Sequence, residues 1–91
     1  MDWERRLAGW VGKLVDIRIE DQLGLDPLAP PKLITLHRVQ LIDNDRVLAL
    51  YINEFQFLSV PLFMETHTKL SGNTFESVDE QAKLIYKAIL L

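Results

Sequence analysis

The stretch Lys32–Phe63, KLITLHRVQLIDNDRVLALYINEFQFLSVPLF, constrains the fold of this chain more than any other. It is dense in β-branched, aromatic and leucine residues, and polar residues interrupt it at Asp43-Asn44-Asp45 and at Asn53-Glu54. Asn and Asp tolerate left-handed backbone and bond locally, so both interruptions fit turns between strands. Within Lys32–Asp43 the apolar parity changes: Ile34 and Leu36 share one side, Val39 and Leu41 the other. A one-residue slip would turn the wrong face inward, so the pattern predicts a β-bulge near His37–Arg38 that bends the strand. Arg46–Asn53 holds the nearly unbroken apolar run VLALYI, as expected of a strand covered on both faces. Phe55–Phe63 is a further strand with a second parity change, Phe55 and Phe57 against Leu58, Val60 and Leu62. Pro61 cannot donate to a ladder, which places this strand at an edge or a bulge. An edge this apolar is a candidate for pairing with another subunit.

The flanking segments lead into that stretch or close over it. Asp2–Gly12 has the period of a helix, with Asp2 as N-cap, Gly12 as its end, and Trp3, Leu7, Trp10 and Val11 on one stripe. Both tryptophans lie on that stripe, which covers one end of the sheet or forms an interface. Lys13–Glu20 alternates Val15, Ile17 and Ile19 with Asp16, Arg18 and Glu20, a half-buried strand. Asp21–Pro31 reads as a loop, since three prolines in five residues break both ladders and helices. Its Leu23, Leu25 and Leu28 are expected to fold back onto the core. Met64–Leu70 is polar and threonine-rich, a possible exposed strand, and Ser71-Gly72-Asn73 is a turn. Ser77–Leu91 carries a helix-start signal, Ser77-x-x-Glu80, and a stripe of Val78, Ala82, Ile85 and Ile89 widened by Leu84 and Leu91. The expected fold class is therefore α+β: an N-terminal helix, a strongly bent antiparallel sheet or small barrel of four or five strands, and a C-terminal helix. Residues 1–91 form a single small domain.

The residue inventory removes several functions. No cysteine is present, which removes disulfides, thiolate metal sites and thiol catalysis, and favours a reducing compartment. Neither a signal peptide nor a membrane-spanning apolar run is found, so a cytoplasmic protein is expected. A net charge of −3 opposes general phosphate binding. His37 and His67, the only histidines, match no metal-ligand spacing. No serine sits in a nucleophile-elbow context, no glycines form a phosphate loop, and the acidic residues are spread over turns. No cofactor, metal or catalytic residue is expected, and the chain is read as a non-enzyme. A self-association or protein-partner surface is expected at Trp3, Leu7, Trp10, Leu58, Val60, Leu62, Leu84 and Leu91. The alternative is a single-stranded nucleic-acid platform at Lys32, Arg38, Arg46 and Tyr51, beside Phe55. The acidic balance disfavours it.

The order of elements over Leu14–Glu20, Leu33–Ile42, Arg46–Ile52 and Phe57–Leu62 resembles the Sm-like and other SH3-like small β-barrels. Sm-like proteins pair edge strands into rings and bind RNA, so the resemblance implies oligomerisation first. The family's glycine in the bent strand, its aspartate–asparagine RNA pocket and its Arg-Gly signature are absent, and RNA binding is not carried over. Short strands followed by a capped C-terminal helix also loosely resemble pleckstrin-homology-like folds.

Overall fold

The computed structural model describes residues 3–22, 31–64 and 66–91. The expected positions of Asp2, Leu23, Leu25 and Leu28 lie outside the described residues. Over the described residues the chain forms a short helix and eight strands. The helix α1 (Trp3–Leu7) runs into a 3-10 turn (Ala8–Trp10). The strands are β1 (Leu14–Asp21), β2 (Lys32–Thr35), β3 (Arg38–Ile42), β4 (Val47–Tyr51), β5 (Phe57–Pro61), β6 (Thr68–Ser71), β7 (Thr74–Asp79) and β8 (Leu84–Leu90). They make two antiparallel sheets, one of five strands in the order β2-β1-β8-β7-β6 and one of three in the order β3-β4-β5.

The bend expected near His37–Arg38 divides one stretch between the two sheets. β2 pairs with β1, and two residues later β3 pairs with β4. The His37 N–H donates to Tyr51 O at 2.8 Å, although Tyr51 stands opposite Arg38 in the register. Two residues of the bent strand thus face one of its partner, as in a β-bulge. Ile34 and Leu36 are buried before the bend, and Val39 and Leu41 pack on the core after it. The Asp43-Asn44-Asp45 turn is built of three consecutive left-handed residues, with φ of 52°, 54° and 65°. Asp and Asn bear this conformation at less cost than other side chains. The run in β4 is buried from Leu48 to Tyr51, as its lack of alternation implied.

The α+β expectation is overturned: the protein is mostly β, and no helix follows residue 77. Ser77 does not cap a helix. It lies buried inside β7, and its hydroxyl donates to Pro61 O at 2.6 Å. Val78 and Ile85, both placed on the helical stripe, stand opposite each other across the β7–β8 ladder, and Ala82 is in the exposed turn between them. Asp79 forms that turn by accepting from the N–H groups of Gln81 (3.1 Å) and Ala82 (3.0 Å), and Lys83 closes it at φ 61°. In Leu84–Leu90 the even positions Leu84, Tyr86, Ala88 and Leu90 are all apolar or aromatic, so the segment satisfies a strand period as well as the helical one. Pairing decides between them. β8 lies between β1 and β7 with both ladders filled, and a helix there would strand the backbone groups of β1 and β7. The strand count exceeds four or five because the bent stretch supplies two strands and the C-terminal third supplies three.

The parity change at Phe57–Leu58 has a simpler cause than a bulge. Phe55 lies in the turn before β5, where Asn53 Oδ1 accepts from the N–H groups of Phe55 and Gln56. Within β5 the alternation is regular. The N-terminal helix is shorter than expected, and Gly12, at φ 85°, ends its approach by donating to Leu36 O at 2.7 Å.

One apolar cluster unites the sheets: Trp3, Leu7, Trp10, Val15, Ile17, Ile34, Leu36, Leu48, Leu50, Val60, Phe75 and Ala88. Trp3 meets Phe75 edge-on at 5.1 Å between centroids, which pins α1 to β7. Glu4 Oε1 accepts from the Leu41 N–H at 2.6 Å, so α1 also covers the edge of β3.

Candidate functional site

Register fixes which side chains share the outer face of the three-stranded sheet. Arg38, Tyr51 and Phe57 are opposite one another across β3, β4 and β5. The Arg38 guanidinium lies 4.0 Å from the centre of the Tyr51 ring, and Tyr51 and Phe57 are 4.9 Å apart between centroids. The Tyr51 hydroxyl reaches Gln40 Oε1 at 3.4 Å. The result is a ledge in which Arg38 and Phe57 cover the buried Tyr51 ring. Phe55, 87% exposed, projects from the adjoining turn, and Phe57 itself is 42% exposed.

Beside Phe57 the two sheets part around an apolar cleft of about 190 Å³, lined by Ile17, Ile19, Lys32, Ile34, Ile52, Phe57 and Leu58. Alternation along β1 and β2 points the isoleucines inward, and β5 contributes Phe57 and Leu58 from its first two positions. Among the described residues Lys32 supplies the only charge in the lining.

The residues proposed from sequence fall into distinct places. Trp3, Leu7, Trp10 and Val60 are buried in the core and offer no surface. Leu58 and Leu62 are half-buried against the core, Leu58 in the cleft wall. Leu84 is half-buried opposite Asp21, and Leu91 is exposed beyond β8. Of the four platform residues, Arg38 and Tyr51 come together, and Lys32 lies across the cleft from Phe57. Arg46 is exposed at the far end of β4, in the turn with Asp43 and Asp45. Sequence reasoning missed the cleft, because its walls come from both sheets.

A shallower groove lies by the 80–83 turn, lined by Phe63, Met64, His67, Val78, Asp79, Glu80 and Gln81. There His67 lies between Thr66 Oγ1 (2.8 Å) in its own turn and Glu80 Oε1 (3.2 Å), the contact that ties two turns together. Among the described residues no three His, Asp or Glu side chains gather as metal ligands, and no helix is long and apolar enough to cross a membrane. Ion pairs elsewhere, Arg18–Asp16 and Lys87–Glu20, decorate the outer face of the larger sheet. Asp16 holds the Arg18 guanidinium above its ordinary pKa, first by hydrogen bonding and then by charge. Comparison with protein-family models, curated proteins and solved structures finds no match.

Proposed function

We propose that the chain is a non-catalytic interaction module that meets its partners, a second copy among them, through the β5 side of the smaller sheet. The observation that carries this is the continuity of exposed Phe55 and Phe57, the Arg38–Tyr51 stack and the apolar cleft. Aromatic residues and arginine are the side chains that anchor protein interfaces. Sedimentation velocity over a wide concentration range tests the self-association half: mass should rise with concentration, and Phe55→Ser/Phe57→Ser should hold the protein monomeric. A wild-type chain that stays monomeric removes that half. Crosslinks to partners in cells that map to other faces and spare Phe55 and Phe57 overturn the proposal as a whole.

Exposed Phe55 and Phe57 beside Arg38 also support a second reading, a stacking platform for single-stranded nucleic acid. The net charge of −3 weighs against it. Fluorescence anisotropy with oligo(U) and oligo(dT) at low ionic strength decides: no binding removes this reading, and salt-dependent binding lost in Arg38→Ala supports it.

A further inference from the structure

The geometry points to an extended peptide as the occupant of this surface. It would add as a strand to the free edge of β5, set one apolar side chain into the cleft and offer a carboxylate to Lys32. This rests on the interaction module proposed above and names the chemistry of its partner.

The free edge follows from the ladder. The Leu62 N–H donates to Arg46 O and the Ile52 N–H donates to Gln56 O, each at 2.9 Å, at the two ends of the β4–β5 pairing. Bonded and non-bonded pairs alternate in an antiparallel ladder, so Leu48–Val60 and Leu50–Leu58 are bonded pairs. Phe57 and Ser59 then turn their N–H and C=O groups away from β4. Among the described residues no hydrogen bond reaches these outward groups. At the other end the edge is closed: Pro61 has no N–H, and its carbonyl already accepts from Ser77. The available edge is therefore short and begins beside the cleft.

The size of the cleft selects its guest. Pockets that enclose whole small molecules run to roughly 300–1,000 Å³. At about 190 Å³ this one suits a single large side chain presented by a partner backbone. Strand addition combines these two elements, main-chain bonds for affinity and a side-chain pocket for specificity. Lys32 has no ion pair among the described residues and stands in an otherwise uncharged lining. A second copy adding its own β5 would bring the sequence FLSVP, which has no carboxylate to offer.

The test uses the whole 15N-labelled chain and the peptide acetyl-Ser-Asp-Val-Leu-Val-Asp-Ser-amide, in which both aspartates share the face of the central leucine. Saturable shifts are expected at Phe57, Leu58, Ser59 and Lys32, with slowed hydrogen exchange at the Phe57 and Ser59 amides. Replacing the central leucine of the peptide by alanine should weaken binding at least tenfold, and Lys32→Glu should weaken it severalfold with unchanged unfolding midpoint. N-methylation of alternate peptide amides should abolish it. Four results each overturn the inference: no saturable shift at millimolar peptide, equal binding of the N-methylated peptide, a response to oligo(U) in place of peptide, or protection of Phe57 and Ser59 by protein concentration alone. Self-association through Phe55 and Phe57 without any peptide response would overturn the peptide while leaving the interaction module standing.

Discussion

Ser77 is fully buried, and its hydroxyl joins the two sheets. Its only proton goes to Pro61 O, so in the 2.9 Å contact with Thr68 Oγ1 the threonine must donate. Thr68 Oγ1 in turn accepts from the Phe63 N–H at 2.7 Å. The chain of bonds is directional, and removing its middle leaves the part-buried Pro61 carbonyl without its donor and the buried Thr68 proton without its acceptor. Ser77→Ala should therefore cost about 1–3 kcal/mol in chemical denaturation. Thr68→Val added to it should cost less than the two changes measured separately, because the partners are lost together. Tyr86 gives a pH dependence. Burial first, and the Asp79 charge second, raise its phenol above the usual value near 10. The folded state thus binds the proton more tightly than the unfolded chain. That stability is fully present below the unfolded pKa and is lost as pH rises through the folded one. Denaturation measured from pH 8 upward should show an alkaline decline that begins near 10 and is reduced in Tyr86→Phe. An identical decline in the variant would place its cause elsewhere.

At the scale of the element, the hairpin of β7 and β8 is the informative case. Its turn is held by the Asp79 side chain, and Lys83 occupies left-handed backbone that a side chain enters at a cost. Glycine takes this conformation freely but loses more entropy on folding, so the two effects partly cancel. Lys83→Gly should stabilise the protein by about 0.5–1 kcal/mol, read as a higher denaturation midpoint at unchanged slope. A loss of stability would mean that Lys83 makes contacts worth more than its backbone strain. Gly72, at φ 59°, already meets the same need at the first position of the two-residue β6–β7 turn.

For the whole molecule, stability concentrates in one cluster that α1 completes. A domain of 91 residues is expected to hold about 5–14 kcal/mol in total. Phe75 is fully buried at the junction of α1 and the larger sheet, against Trp3. Phe75→Ala should cost about 3–5 kcal/mol, a large share of that total. The expected measurement is a greatly lowered thermal midpoint together with loss of the tryptophan near-ultraviolet signal. Retention of that signal would show that α1 docks without Phe75. None of these core changes touches Phe55 or the outward groups of Ser59, so stability and partner binding can be tested separately.

The sequence by itself determined the features that rest on local chemistry. Alternation marked β1, the parity change at His37–Arg38 marked the bend, and Asp43-Asn44-Asp45 and Asn53-Glu54 marked the turns. Pro61 marked an edge or a bulge at β5, because a missing N–H is a property of the residue alone, and the strand order made it an edge. Arg38 and Tyr51 were legible as one surface, since both flank the same turn-linked strands. What only the tertiary structure decided was the use of ambiguous segments. Ser77–Leu91 satisfies a helical stripe and a strand alternation equally well, and the unpaired edges of β1 and β7 settled it. Trp3, Leu7 and Trp10 could have covered a core or met a partner, and the space above Phe75 drew the helix inward. The cleft was invisible because Ile17, Lys32 and Phe57 are distant in the chain. Apolar pattern shows that a side chain seeks burial, but which surface buries it is set by the pairing of strands far apart in sequence.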